Sequence, residues 1–221
     1  MSVAFPAFWA QFWGDLRFDS VEFRLGENLL TAQTGGGEIL TARRGQRLWS
    51  GVATISANTH DQQDQIRARL NLMQRPGSSF ILYDPWRKYP QSDPTGSAIN
   101  AHGSTVQVSS VASDRREITI KHLPNGYVLT RGDHVSIAYG SSPTRYYLGQ
   151  VVTGATTQAG SPTTCTVELA PDIPATVTEN DVVSVDFPHL KAVYVPNSFS
   201  GGERNRVGAN SFSFEWRQTL R

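Results

Sequence analysis

The stretch from Thr59 to Gly77 is the only one that carries all the marks of a helix, and it is short. Thr59-x-x-Gln62 has the spacing of a capping box, with Asn58 as a second candidate cap. Asp61 and Asp64 sit in the first turns, where the helix dipole favours negative charge. Arg67, Arg69 and Arg75 lie toward the other end, and Ile66, Leu70 and Met73 form an apolar stripe at i, i+4 and i+7. Pro76-Gly77 stops it. Nearly everything else is patterned for strands. A chain with one helix among many short alternating runs must lay that helix on a sheet.

The strand signals run the length of the chain. Val21, Phe23 and Leu25 alternate with Glu22 and Arg24. Thr34-Gly35-Gly36-Gly37 is a hairpin tip, since no Lys-Ser/Thr follows to make it a phosphate loop. Leu48–Ser56 sets Trp49, Gly51, Ala53 and Ile55 on one face, and Ser79–Tyr83 follows the helix. Pro90 to Gly103 reads as a loop and a boundary. Beyond it, Val106–Val108, Ile118–Ile120, Val135–Tyr139, Tyr146–Val152, Cys165–Leu169 and Val183–Phe187 suggest a small barrel or sandwich. Phe212, Phe214 and Trp216 alternate with Ser211, Ser213, Glu215 and Arg217, as in a half-buried antiparallel strand. This last strand is expected to rejoin the first sheet.

The expectation is therefore a mainly β protein: an antiparallel β-sandwich with one packed α-helix, plus an inserted small β-barrel-like module. Its parts are an aromatic N-terminal arm (1–18), a sandwich domain (19–92 and 188–221, helix about 59–75) and an inserted all-β module (93–187). A chain of 221 residues needs no disulfide or metal staple for its core. The single cysteine, Cys165, falls in a strand and reads as a buried thiol.

In the arm, Phe5, Phe8, Trp9, Phe12 and Leu16 recur at helical spacing, and Trp13 widens the stripe. It reads as a short amphipathic helix or a compact aromatic arm. Packing on its own core and docking on a partner both fit the stripe. A membrane anchor would carry a basic face, and only Arg17 is present.

Charge and motifs exclude several classes. The net charge of +1 gives no electrostatic footprint for nucleic acid, and Arg87-Lys88-Tyr89 neutralises little phosphate. No apolar run reaches the ~18–20 residues of a membrane span. The N-terminus lacks the basic and apolar regions of a secretory signal, so folding in a cytoplasm is expected. There is no G-x-S-x-G and no H-E-x-x-H. The five histidines are scattered; His122 is expected to share a strand face with Ile118 and Ile120. Asp84 and Asp93 flank Trp86 and Tyr89, a combination found in sugar clefts and glycosidases, but Asp-Pro is also ordinary turn chemistry. No catalytic residue, cofactor or metal is expected. Arg43, Arg44 and Arg47 are a candidate interface cluster.

The order of parts resembles a known family. Leu48-Trp49-Ser50-Gly51, the helix, and then Arg75-Pro76-Gly77-Ser78-Ser79-Phe80-Ile81-Leu82-Tyr83-Asp84-Pro85 are similar to distal tail and tail-tip β-sandwich proteins of long-tailed (siphovirus-like) bacteriophages. Gly132-Asp133-His134-Val135-Ser136-Ile137, Tyr147–Val152, Thr166–Pro171 and Asp181–Pro188 are similar to a small β-module of phage tail proteins, and Phe212–Leu220 to the closing strand. The resemblance implies a structural subunit and no enzyme. Its copies would form a ring, typically of six, joining tail tube protein to hub protein, with the tape-measure protein as a further neighbour. It would be assembled in the host cytoplasm and end in the virion tail tip. On that reading Phe5, Phe8, Trp9, Phe12 and Trp13 bury against a neighbour, and deleting residues 2–14 spares the fold while blocking assembly. The alternative is a carbohydrate-binding module touching the host surface through Trp86 and Tyr89.

Overall fold

The computed structural model describes residues 4–203 and 211–221; residues 1–3 of the expected arm and 204–210 of the returning segment lie outside the described residues. In chain order the elements are two single 3-10 turns (Trp9–Gln11, Trp13–Asp15), β1 (Phe18–Val21), β2 (Arg24–Leu25), β3 (Leu29–Gln33), β4 (Ile39–Arg43), β5 (Trp49–Ile55), α1 (His60–Met73), β6 (Phe80–Tyr83) and α2 (Ser97–His102). Then follow β7 (Gln107–Val111), β8 (Glu117–Lys121), β9 (Val128–Leu129), β10 (His134–Tyr139), β11 (Arg145–Thr153), β12 (Ala155–Thr156), β13 (Thr164–Ala170) and β14 (Val182–Ser184). The chain closes with β15 (His189–Tyr194), β16 (Ser200–Gly201) and β17 (Phe212–Gln218). With 39% strand and 12% helix, the protein is mainly β, as its alternation requires.

A seven-stranded sheet runs β1-β5-β17-β15-β6, with β2 beside β5 and β16 beside β17. Its central pair sets Ile55 against Phe212 and Gly51 against Trp216, antiparallel. Phe212, Phe214 and Trp216 are fully buried, together with Ala53 and Ile55. Gly51 has to be glycine. A Cβ there would stand 1.7 Å from the Glu22 carbonyl oxygen and 2.9 Å from the Trp216 ring. The missing side chain lets the stretch between β1 and β2 lie on β5, where Glu22 N–H donates to the Val52 carbonyl.

Helix α1 covers this buried face with Ile66, Leu70 and Met73, which share one core with the sheet. Thr59 is its N-cap, its hydroxyl accepting from the Gln62 amide at 3.3 Å. The Gln62 side chain accepts from the Asn58 amide, one residue before the cap, so the capping box is offset by one. Beyond α1 the chain turns at Gly77, whose φ of +79° suits glycine.

The aromatic arm belongs to the same core. Phe12 and Trp13 are 1% and 0% exposed, so the expectation that they bury against a neighbour is corrected. Phe12 meets Phe80 with ring centroids 4.9 Å apart, and the Trp13 indole donates to the Tyr83 carbonyl at 2.8 Å. Ala7 bridges Phe80 in parallel: its amide donates to Ser79 O, and the Ile81 amide donates to its carbonyl. The arm thus covers the outer edge of β6, which explains why all four β6 residues are buried. A continuous helix would turn Phe12 and Trp13 about 100° apart. Breaking into two 3-10 turns, with Phe12 at φ −138° and ψ −70°, lets both enter the core.

The stretch between β6 and β15 carries a second body. Six strands close a barrel in the order β10-β11-β13-β8-β7-β14, with a separate core that includes Val108, Ile118, Ile120, Val135, Ile137 and Val167. Cys165 is 1% exposed in that core. The segment 90–103, expected as a loop, contains the short helix α2. Asp93 accepts from the Ala98 and Ile99 amides at its start, and Gly103 ends it at φ +69°. One buried residue, Ile99, is too few to show a period.

Sheet and barrel meet along β11. Leu148 of that strand belongs to the sheet's core, and the Trp49 indole donates to its carbonyl at 2.8 Å. The Gln218 amide donates to Tyr146 O, and Arg145 to Leu220 O.

Truncating Trp13 to Ala removes a fully buried indole and its hydrogen bond, so urea unfolding should show a loss of about 3–5 kcal/mol. Deletion of residues 2–14 should therefore unfold the sheet rather than spare it.

Candidate functional site

The residues singled out for chemistry are spent on structure. Asp84 accepts from the Trp86 amide at 2.9 Å in a turn, and Asp93 caps α2. Both carboxylates therefore serve the local backbone, as turn and cap. His122 lies beyond β8 at φ +64°, not on its face with Ile118 and Ile120. Among the described residues no group of three or more His, Cys, Asp or Glu is placed to hold a metal. No helix among the described residues is long and apolar enough to cross a membrane.

The aromatic pair behaves in two ways. Trp86 is 58% exposed. Tyr89 packs edge-on to Phe187 at 5.3 Å and lies against Gly96, where a Cβ would come within 2.2 Å of its ring. Tyr89 is therefore a packed wall, and the two do not offer paired faces to a sugar.

Two of the basic residues are engaged within the chain. Arg43 forms an ion pair with Asp172 of the barrel, and Arg47 donates to the Gly26 carbonyl at 2.9 Å. The Arg43 hydrogen bond holds the Asp172 carboxyl below its usual range, and the same contact raises Arg43. Both side chains are partly exposed, so the pair is a tether of small net worth. The acidic partner of Arg43 is thus Asp172 of the same chain. Of the arm residues, Trp9 stacks on Phe187 and meets His189 at 5.3 Å; Phe5 and Phe8 remain exposed.

What stands out is the hairpin β3–β4. Its strands pair with each other and with no further strand among the described residues, and all ten of their residues are exposed. The register sets Leu30 opposite Ala42 and Ala32 opposite Leu40. Residues two apart and directly cross-strand share a face. One face of the hairpin is therefore wholly apolar: Leu30, Ala32, Leu40 and Ala42. The other holds Leu29 and Ile39 among Thr31, Gln33, Thr41 and Arg43. Leu29, Leu30, Ile39 and Leu40 are 46%, 55%, 70% and 56% exposed.

Local chemistry explains why the hairpin forms. Gly37 takes φ +87° at the tip, and the Thr34 hydroxyl accepts from the Glu38 amide. At the base, the Arg44 amide donates to Asn28 O, and Arg43 is held by Asp172. A lone two-stranded ribbon is marginal in water, and its outer edges present unpaired backbone groups. The sequence reading found the turn but not the exposed surface. The signal was there: Leu29-Leu30-Thr31-Ala32-Gln33 and Ile39-Leu40-Thr41-Ala42-Arg43 are near-copies that each open on an apolar doublet. A doublet puts one apolar side chain on each face, which one-sided burial does not require.

The arrangement is suited to burial and strand pairing. No protein-family model matches this sequence, and no curated protein matches it.

In the isolated chain, amides of β3 and β4 should exchange with deuterium far faster than those of β5 and β17. Equal protection at Leu30 and Ala53 would show that the hairpin is covered in the free protein.

Proposed function

We propose that this chain is a structural subunit of a bacteriophage or phage-derived tail tip, whose copies form a ring between the tail tube and the hub. The observation that carries the reading is the projecting hairpin with one apolar face. The resemblance of the sequence, in the order of its parts, to distal tail proteins supplies the setting, with six copies as the order it implies. A closed ring uses head-to-tail contacts, in which one surface meets a different surface of the next copy. A projecting hairpin is one half of such a contact. Its open edges can pair with a strand of the neighbour, and its apolar face can be covered there.

Magnitudes bear on how firm the contact is. Fully burying a Leu or Ile is worth roughly 1.5–3 kcal/mol. About half of each leucine on the apolar face, Leu30 and Leu40, is already covered, so a neighbour adds roughly 1.5–3 kcal/mol from the two. Association costs about 4–15 kcal/mol. The apolar patch alone does not hold a dimer. Main-chain pairing, and the two neighbours each copy has in a closed ring, must supply the remainder.

The test is sedimentation and negative-stain imaging of the full chain beside the double variant Leu30→Asp/Leu40→Asp. The wild type should form rings with a central channel as concentration rises. The variant should keep its thermal midpoint within a few degrees, because both positions are exposed, and stay monomeric. A wild type that is monomeric throughout, or a variant that assembles equally well, contradicts the reading.

A further inference from the structure

Two histidines stand where the sheet meets the barrel. His134 opens β10 of the barrel, and its ring centroid lies 5.7 Å from Trp49 at an interplanar angle of 88°, and 6.4 Å from Phe23. His189 opens β15 of the sheet. Its ring lies 5.1 Å from Tyr146 of the barrel strand β11 and 5.3 Å from Trp9 of the arm, and its Nδ1 is 2.9 Å from the Phe187 carbonyl. Each imidazole therefore faces aromatic rings from the other body. Among the described residues no hydrogen bond reaches the ring of His134.

We propose that this junction is an acid-sensitive hinge, in which protonation of His134 and His189 loosens the barrel from the sheet while both cores stay folded.

The charged surroundings were weighed for each ring. Around His134, Asp84 and Asp133 favour the imidazolium and Arg87 opposes it, but loss of solvent outweighs them and holds its pKa below the ordinary 6.5. Around His189, the Phe187 carbonyl and Asp186 favour the charge, and burial again prevails. Tyr146 is the other ionisable group against the His189 ring. The flanking rings return part of the cost as cation–π attraction, which a solvated imidazolium does not need.

The sign follows from linkage. A histidine whose pKa is lowered in the closed form binds fewer protons there than in the open form. Its contribution to closure is complete above pH 6.5 and falls as pH drops below that value. The two cores are separate clusters of apolar side chains, which acid does not charge. The Arg43–Asp172 tether survives the same window, since that carboxyl is held low by Arg43. Acid thus loads the junction and spares what lies on either side.

Two indoles report the two places. The Trp49 indole N–H bonds to Leu148 O across the junction, and the Trp13 indole bonds to Tyr83 O inside the sheet body. In the full chain labelled with nitrogen-15, indole hydrogen-exchange protection is compared at about pH 7.5 and pH 5, after correction for intrinsic rates. Protection at Trp49 should fall by about tenfold or more in acid while Trp13 keeps its own. In His134→Phe/His189→Gln, both indoles should stay protected. Histidine titration in the wild type needs no variant and should give both pKa values below 6.5. The proposal is overturned if Trp49 stays protected in acid, if the two indoles lose protection together, if the double variant opens like the wild type, or if either histidine titrates at or above its ordinary value. Ring assembly does not enter these readouts, so the hinge and the tail-tip reading stand or fall separately.

Discussion

The pairing of β17 with β5 is the contact on which the rest of the molecule depends. It joins residues 212–217 to residues 50–55, across the whole barrel. Its cost in chain entropy is that of closing a very long loop, and that cost grows only slowly with loop length. A preformed barrel shortens the loop, because the strands that lead into and out of it, β6 and β15, pair with each other. Once the pair forms, Phe212, Phe214 and Trp216 present a continuous apolar face. The helix and the arm then have a surface to cover. Gly51 is the local condition for this, since a side chain there would drive the β1–β2 stretch off the central strand.

Much of this was legible in the sequence. The helix showed itself because cap, stripe and stop agree along one stretch. The closing strand showed itself because its alternation is clean, and both faces were assigned as found. The hairpin turn was legible from Thr34 to Gly37. In each case the information is local, and local signals that agree with the fold are what make a sequence readable.

The arm was not legible in the same way. Its aromatic spacing fits a helix that packs on its own core or on a partner alike, and Phe12 and Trp13 both point into the core, from two 3-10 turns. What decides this is the open edge of β6, which lies far away in sequence and needs an amide and a carbonyl from residue 7 to be satisfied. Spacing within the arm carries no trace of that requirement. The same limit applies to Asp84 and Asp93. As residue types they suit acid–base work or Asp-Pro turns alike, and the backbone N–H groups they accept from show which turn and which cap they serve. The exposed face of β3–β4 is the converse case, where a pattern usually read as buried strand stays in water.

That face links the fold to the proposed function. The sheet and the barrel each bury a core of their own, and the hairpin is the element whose form fits a neighbour. Photo-crosslinking from position 40 tests this most directly. With a benzophenone amino acid in place of Leu40, irradiation of the purified chain should give a ladder of covalent oligomers ending at the ring order. Cross-links confined to single chains, at concentrations where the protein is otherwise assembled, would contradict the account.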